Sequence, residues 1–227
     1  MRKFCLASLA LALAGCVTPQ NPASLPAAQE AFWDALQSHC GKAYRGQLAS
    51  TDERDADWRG RAMVAHWASC DERTVAIAFH VQGETDAGAD TGADTARWDR
   101  SRTWIVSREY IENAAQAVPV GLALKHDHRH EDGEPDAVTF YGGRTGDEGT
   151  ARAQDFPVDA FSIALFEDNG LNASLTNVWR LEVDPAGTRD ARLAYQLTRR
   201  NDPTRLFRVE FDLTDPVAAP PAAWGWE

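Results

Sequence analysis

From residue 43 onward the chain runs in short stretches of alternating apolar and polar residues, broken about every ten positions by turn formers. Side chains of a strand point alternately to its two faces, so such stretches read as half-buried strands. Nine are apparent, at 44–49, 60–69, 75–82, 103–107, 121–130, 137–141, 175–183, 191–198 and 206–213. In the third, Val75, Ile77, Phe79 and Val81 share one face and Ala76, Ala78 and His80 the other. In the last, Phe207, Val209, Phe211 and Leu213 lie opposite Arg208, Glu210 and Asp212. Two segments change period. Ala31, Phe32, Ala35 and Leu36 recur at helical spacing within 27–40, with Gly41 as the stop. Asp159 is placed to cap a helix over 160–167 that Asn169 and Gly170 end. The expected fold is mainly β, an antiparallel up-and-down barrel with a short N-terminal helix and one inserted helix. Closure is favoured because it removes exposed sheet edges.

Two stretches fall outside the alternation. Residues 84–99 hold almost nothing apolar, and their Asp86, Asp90 and Asp94 recur every four residues, which is not the spacing of a calcium loop, so a solvated acidic loop is expected. The last stretch, 216–227, contains Pro216, Pro220 and Pro221 and ends in Trp224 and Trp226. Two tryptophans on such a tail are expected to pack back on the barrel, a docking peptide being the alternative.

The start of the chain carries an address. Arg2 and Lys3 precede an apolar run, 4–14, of signal-peptide length and too short to span a bilayer as a permanent helix. The run ends in Leu13-Ala14-Gly15-Cys16, which resembles the lipobox of bacterial lipoprotein precursors. That resemblance implies cleavage after residue 15, lipidation of Cys16 and attachment by two or three acyl chains. Val17 after the cysteine implies, for a Gram-negative lipoprotein, the outer membrane and its periplasmic face. The organisation expected is a leader at 1–15, a lipidated tether at 16–28 rich in Pro, Gln and Ser, a barrel domain at 29–215 and the tail at 216–227. The formal net charge of −11 grows more negative once Arg2 and Lys3 leave, which argues against nucleic acid as a partner. Cys5 leaves with the leader and Cys16 carries lipid. Cys40 and Cys70 then remain for a disulfide in an oxidising compartment, a Cys40 nucleophile beside His39 being the alternative.

Candidate chemistry concentrates at 121–143, where His126, His128 and His130 continue the face of Leu122 and Leu124, and Ala123, Lys125, Asp127, Arg129 and Glu131 lie opposite. A turn of three to five residues within 132–136 is expected to return the chain into 137–141 as a hairpin. Three imidazoles with Glu134 nearby suit zinc or another transition metal. Against this, alternate strand positions lie about 6–7 Å apart, and the histidines can as well hydrogen-bond to neighbouring acids or wall a binding pocket. His128, His130 and Glu134 resemble the first metal motif of cupins, which implies a metal-dependent enzyme or metal-binding protein. Arg97, Arg100 and Arg102, interleaved with Trp98 and Trp104, read either as an anion clasp or as balance for the acidic loop. No Gly-x-Ser-x-Gly elbow, phosphate-binding glycine loop or HExxH helix is present, and Tyr141-Gly142-Gly143 reads as a tight turn.

The short helix, an early strand with Tyr44-Arg45-Gly46 and the following antiparallel run resemble the calycin or lipocalin-like architecture, which implies one open end and a ligand cavity. KHDHRHEDG, YGG, FPVDAFS, NVW, LFRVEFDL and PPAAWG are similar to a group of uncharacterised bacterial secreted or lipoprotein sequences, which implies export. The function expected is non-enzymatic binding of a small apolar ligand or an envelope protein, with His126, His128, His130 and Trp104 as ligand-binding residues and no cofactor. The alternative is the metal reading on His126, His128, His130 and Glu134.

Overall fold

The computed structural model describes residues 24–83, 98–112 and 117–227. The leader, Cys16, most of the tether, and the acidic stretch with Asp86, Asp90, Asp94 and Arg97 lie outside the described residues. Ten strands follow in chain order: β1 (Ala43–Leu48), β2 (Met63–Cys70), β3 (Thr74–Gln82), β4 (Trp98–Glu112), β5 (Ala117–His128), β6 (Tyr141–Arg144), β7 (Ala153–Pro157), β8 (Asn177–Val183), β9 (Arg192–Arg199) and β10 (Asp202–Asp212). All pairings are antiparallel; β1 to β6 and β7 to β10 each form a meander, and β10 returns to pair with β1. The seam between β6 and β7 is held by one bridge, Gly143 to Val158, and by the Asp159 N–H donating to the Gly142 carbonyl at 3.1 Å. The result is the expected up-and-down barrel, nearly closed.

Tyr141-Gly142-Gly143 is a strand at this seam and not the tight turn that its glycines suggest. A Cβ on Gly142 would lie 1.8 Å from the Leu124 carbonyl oxygen, and one on Gly143 2.1 Å from that of Pro157. Only hydrogen fits between the three strands. The expected hairpin at 121–141 is corrected as well. β5 ends at His128, a bridge joins Arg129 to Pro135, and β6 begins only at Tyr141.

Strand direction alternates, so the barrel has two distinct ends. At one, β2 turns into β3 and β8 into β9. The helix α1 (Ala27–Gln37) plugs it, burying Phe32, Trp33 and Leu36. Glu30 pairs with Arg108 of β4 at 2.6 Å, Gln29 Nε2 donates to the Asp147 carbonyl and Gln37 Nε2 to that of Asp71. Cys40, just past α1, is disulfide-bonded to Cys70 at the end of β2. At the other end β1 runs into β2 through a short 3-10 helix (Glu53–Trp58), and β9 turns into β10.

The middle of the interior is apolar, with Tyr44, Trp67, Ile77, Leu124, Leu181 and Phe211 among its buried side chains. Gly46 faces Phe211 across the β1–β10 pair, where a Cβ would meet the ring at 2.3 Å. Outside, β7 to β10 carry an ion-pair ladder in which Arg180 joins Asp155 and Glu182, and Arg208 joins Glu182 and Glu210. An apolar lumen under a charged exterior is the reverse of a lipid-facing barrel wall. The outer face of β1 to β5 is covered by the tail. The Val217 N–H donates to the Ala43 carbonyl, Arg100 to that of Ala222, and the Trp226 indole N–H to the Asp127 carboxylate at 2.8 Å. Ala43, Ala76 and Ala78 are small enough to let it lie close, which is why both faces of β3 are buried.

Candidate functional site

Pairing register settles which polar side chains point inward. Trp104 lies opposite both Ile77 and His126, Arg102 opposite Phe79 and His128, and Tyr141 opposite His126, so all of these share the inner face. Leu181 and Val209 flank Tyr195 in the same way. Phe79, Arg102, Trp104, His126, His128, Tyr141 and Tyr195 wall a cavity of ≈ 190 Å³ at the unplugged end. Trp58 from the 3-10 helix and Phe207 of β10 complete its aromatic wall, and Leu197 adds an aliphatic patch.

The base of the cavity is a ring stack. Trp104 lies between Phe79, at 4.6 Å between centroids, and Tyr195, at 4.4 Å and within 2° of parallel. Such offset stacks add about 0.5–1.5 kcal/mol beyond area burial and hold the planes in register.

Above the stack sit two imidazole–phenol pairs. A carbonyl oxygen can only accept, so the 3.1 Å contact from His126 Nδ1 to the Tyr141 carbonyl places the ring proton on Nδ1. His126 Nε2 therefore accepts the Tyr195 hydroxyl proton, at 2.8 Å. Beside them, His128 Nε2 and the Tyr141 hydroxyl are 2.9 Å apart. Burial, followed by repulsion from His128, pushes the His126 pKa down to about 3; burial, then Arg102, lowers that of His128 to about 4. Burial raises Tyr141 to about 12 and Tyr195 well above the ordinary value. At neutral pH the pairs are uncharged.

The mouth is ionic. Arg205 grips Asp55 through two nitrogens at 2.6 and 2.8 Å and reaches Asp52 at 3.0 Å, which fastens the 3-10 helix to β10. Arg102 pairs with Asp99 and lies 5.2 Å from the Trp58 ring centre. The inserted helix α2 (Ala160–Asp168) packs against this wall, with buried Phe166 5.3 Å from Tyr141. Its cap is the expected one, Asp159 accepting from the Ser162 N–H at 2.9 Å while pairing with Lys125.

No family model matches the chain, and no curated protein or solved structure is significantly similar to it. The site therefore rests on its own geometry.

Three of the four residues expected to bind a ligand, Trp104, His126 and His128, meet in this cavity. His130 does not. β5 has ended before it, its N–H donates to the Glu134 carbonyl in the turn, and both His130 and Glu134 are exposed. Among the described residues no group of three or more His, Cys, Asp or Glu side chains is placed to hold a metal ion. Of the arginine run, Arg102 joins the cavity, whereas Arg100 turns outward to the tail. Cys40 is in a disulfide and has no free thiol for nucleophilic work.

Tyr195, Arg205, Asp55 and Trp58 were not expected at the site, and Tyr141 was expected only in a turn. For Tyr195 a signal existed, since Leu193, Tyr195 and Leu197 alternate as an inward face. Arg102 lies two residues from Trp104 and so shares its face.

Proposed function

We propose that this is a lipid-anchored cell-envelope protein whose barrel binds a small ligand without catalysing a reaction. The observation that carries the reading is the ≈ 190 Å³ aromatic-walled cavity at the barrel end opposite α1. Binding sites are concave and join apolar walls to convergent polar groups, and this cavity sets Trp58, Phe79, Trp104, Leu197 and Phe207 beside two imidazoles, two phenols and an ionic mouth. General acid–base work favours groups with pKa near the operating pH. His126 at about 3, His128 at about 4 and Tyr141 at about 12 are all displaced from it.

The anchor is proposed from the Leu13-Ala14-Gly15-Cys16 run. Because α1 begins at Ala27 and occupies the plugged end, a lipid on Cys16 would hold that end toward the membrane. The cavity mouth would then open into the periplasm, so ligand would load from the aqueous phase.

Native mass spectrometry of the full chain, released gently from envelopes, tests the reading. A small-molecule adduct in the wild type that is absent from Leu197→Trp, which fills the cavity, is the expected result. A captured envelope protein with no small adduct would move the function to partner binding. For the anchor, incorporation of labelled palmitate that Cys16→Ala abolishes is expected, and an unlabelled wild type would refute it.

A further inference from the structure

The cavity itself narrows the chemistry of what enters it, and this step rests on the small-ligand reading above. Its volume is ≈ 190 Å³. A dry cavity of about 150 Å³ admits benzene, and drug-sized ligands need about 300–1,000 Å³, so the occupant has one ring or two fused rings. Long acyl chains exceed it.

Shape agrees with size. Phe79, Trp104 and Tyr195 present a flat, stacked surface, with Trp58 and Phe207 set edge to face at 5.3 Å beside it. A planar guest extends such a stack, whereas a branched aliphatic guest wastes it.

Charge excludes most alternatives. Two guanidiniums, Arg102 and Arg205, face three carboxylates, Asp52, Asp55 and Asp99, each within 3.0 Å of its partner. An anion would have to compete with carboxylates already in place. A cation would sit beside two guanidiniums that already lie over the Trp58 and Phe207 rings. An uncharged guest meets neither cost.

The polar handle follows from proton ownership. The Tyr195 hydroxyl gives its proton to His126 Nε2. A phenolic oxygen has two lone pairs, so Tyr195 keeps an acceptor position free. A guest with one O–H or N–H can use it.

We infer that the cavity takes a compact, uncharged aromatic molecule bearing a single hydroxyl or N–H group, of the phenol or indole class. Isothermal titration of the full chain with indole, benzoate, benzyltrimethylammonium and 1-decanol tests this. Indole is expected to bind at least tenfold more tightly than the other three, and Leu197→Trp to weaken it at least tenfold. Phe207→Trp serves as a second filling variant should the first fail to fold. Tightest binding by benzoate, the ammonium or decanol would overturn the inferred class and leave the cavity as a binding site. Failure of all four to bind would overturn both the class and the small-ligand reading.

Discussion

The two ends of the barrel contain nearly the same polar device and use it differently. At the plugged end His39 donates from Nε2 to the Asp184 carbonyl at 2.8 Å and accepts the Tyr44 hydroxyl on Nδ1 at 2.9 Å, with Trp67 5.2 Å away. At the open end His126 donates to the Tyr141 carbonyl and accepts from Tyr195, with Trp179 at 5.1 Å. Both imidazoles are buried and both have lowered pKa values, with burial the leading cause. What separates them is the cover. His39 lies against α1 and the disulfide, and the helix fills the lumen. Over His126 stands the short, kinked 3-10 helix latched by Arg205. A buried histidine–tyrosine pair is therefore not a site in itself. It becomes one where the space beside it is left unfilled.

That contrast can be broken most forcefully at the cover. Trp33→Ala removes a fully buried ring from the plug and is expected to cost about 3–5 kcal/mol in denaturant unfolding. Trp58→Ala, at the half-buried ring over the mouth, should cost only about 1–2 kcal/mol while altering ligand binding. Equal costs would mean that the mouth is packed as firmly as the plug. Removing the Cys40–Cys70 disulfide by paired serine substitutions should cost about 3–4 kcal/mol, since it closes a separation of 30 residues. Ligand binding at the opposite end should survive in the fraction that folds.

Acid is expected to destabilise the fold. Burial lowers the pKa of His39 at the plugged end, and the folded-state values of His126 at the open end, about 3, and of His80 on the outer face of β3, about 4, lie below the unfolded value of 6.5. As pH falls below 6.5 the unfolded chain takes up protons that the folded chain refuses, so stability is full above 6.5 and declines toward pH 4. His126 alone should account for about 2 kcal/mol between pH 6.5 and 5. A flat unfolding midpoint over that window would show that water reaches the open-end imidazoles. The smallest contrast is a matched pair of hydroxyl deletions. Tyr44→Phe leaves His39 Nδ1 unpaired in a filled interior, at about 1–3 kcal/mol. Tyr195→Phe should cost less than about 1 kcal/mol, because the cavity has room for a water at His126 Nε2.

Much of the fold is legible in the sequence. Alternation located most strands, the helical spacing located α1, and Asp159 announced α2. Proline and tryptophan foretold the tail, which covers the outer face of β1 to β5. The failures have local causes. β7 escaped notice because Gln154 and Asp155 break its apolar pattern and Pro157 ends it, although Gln154 is buried and donates to the Glu148 and Thr150 carbonyls. β6 was misplaced because glycines have no side chains to alternate, and because Val138 and Phe140 imitate a strand where Phe140 adopts φ 55°. The site was half visible. Trp104, His126 and His128 declare their inward face by parity, but the closure that brings Tyr195 and Arg205 opposite them joins strands about seventy or more residues apart. No local pattern records that meeting.

The most direct test is an imidazole ¹H–¹⁵N spectrum of the full chain during titration with indole. The account predicts that the ring signals of His126 and His128 shift and saturate together while those of His39 stay in place. Movement of the His39 signals to the same extent, or of none of the three, would contradict the claim that one end of the barrel is filled and the other is a binding site.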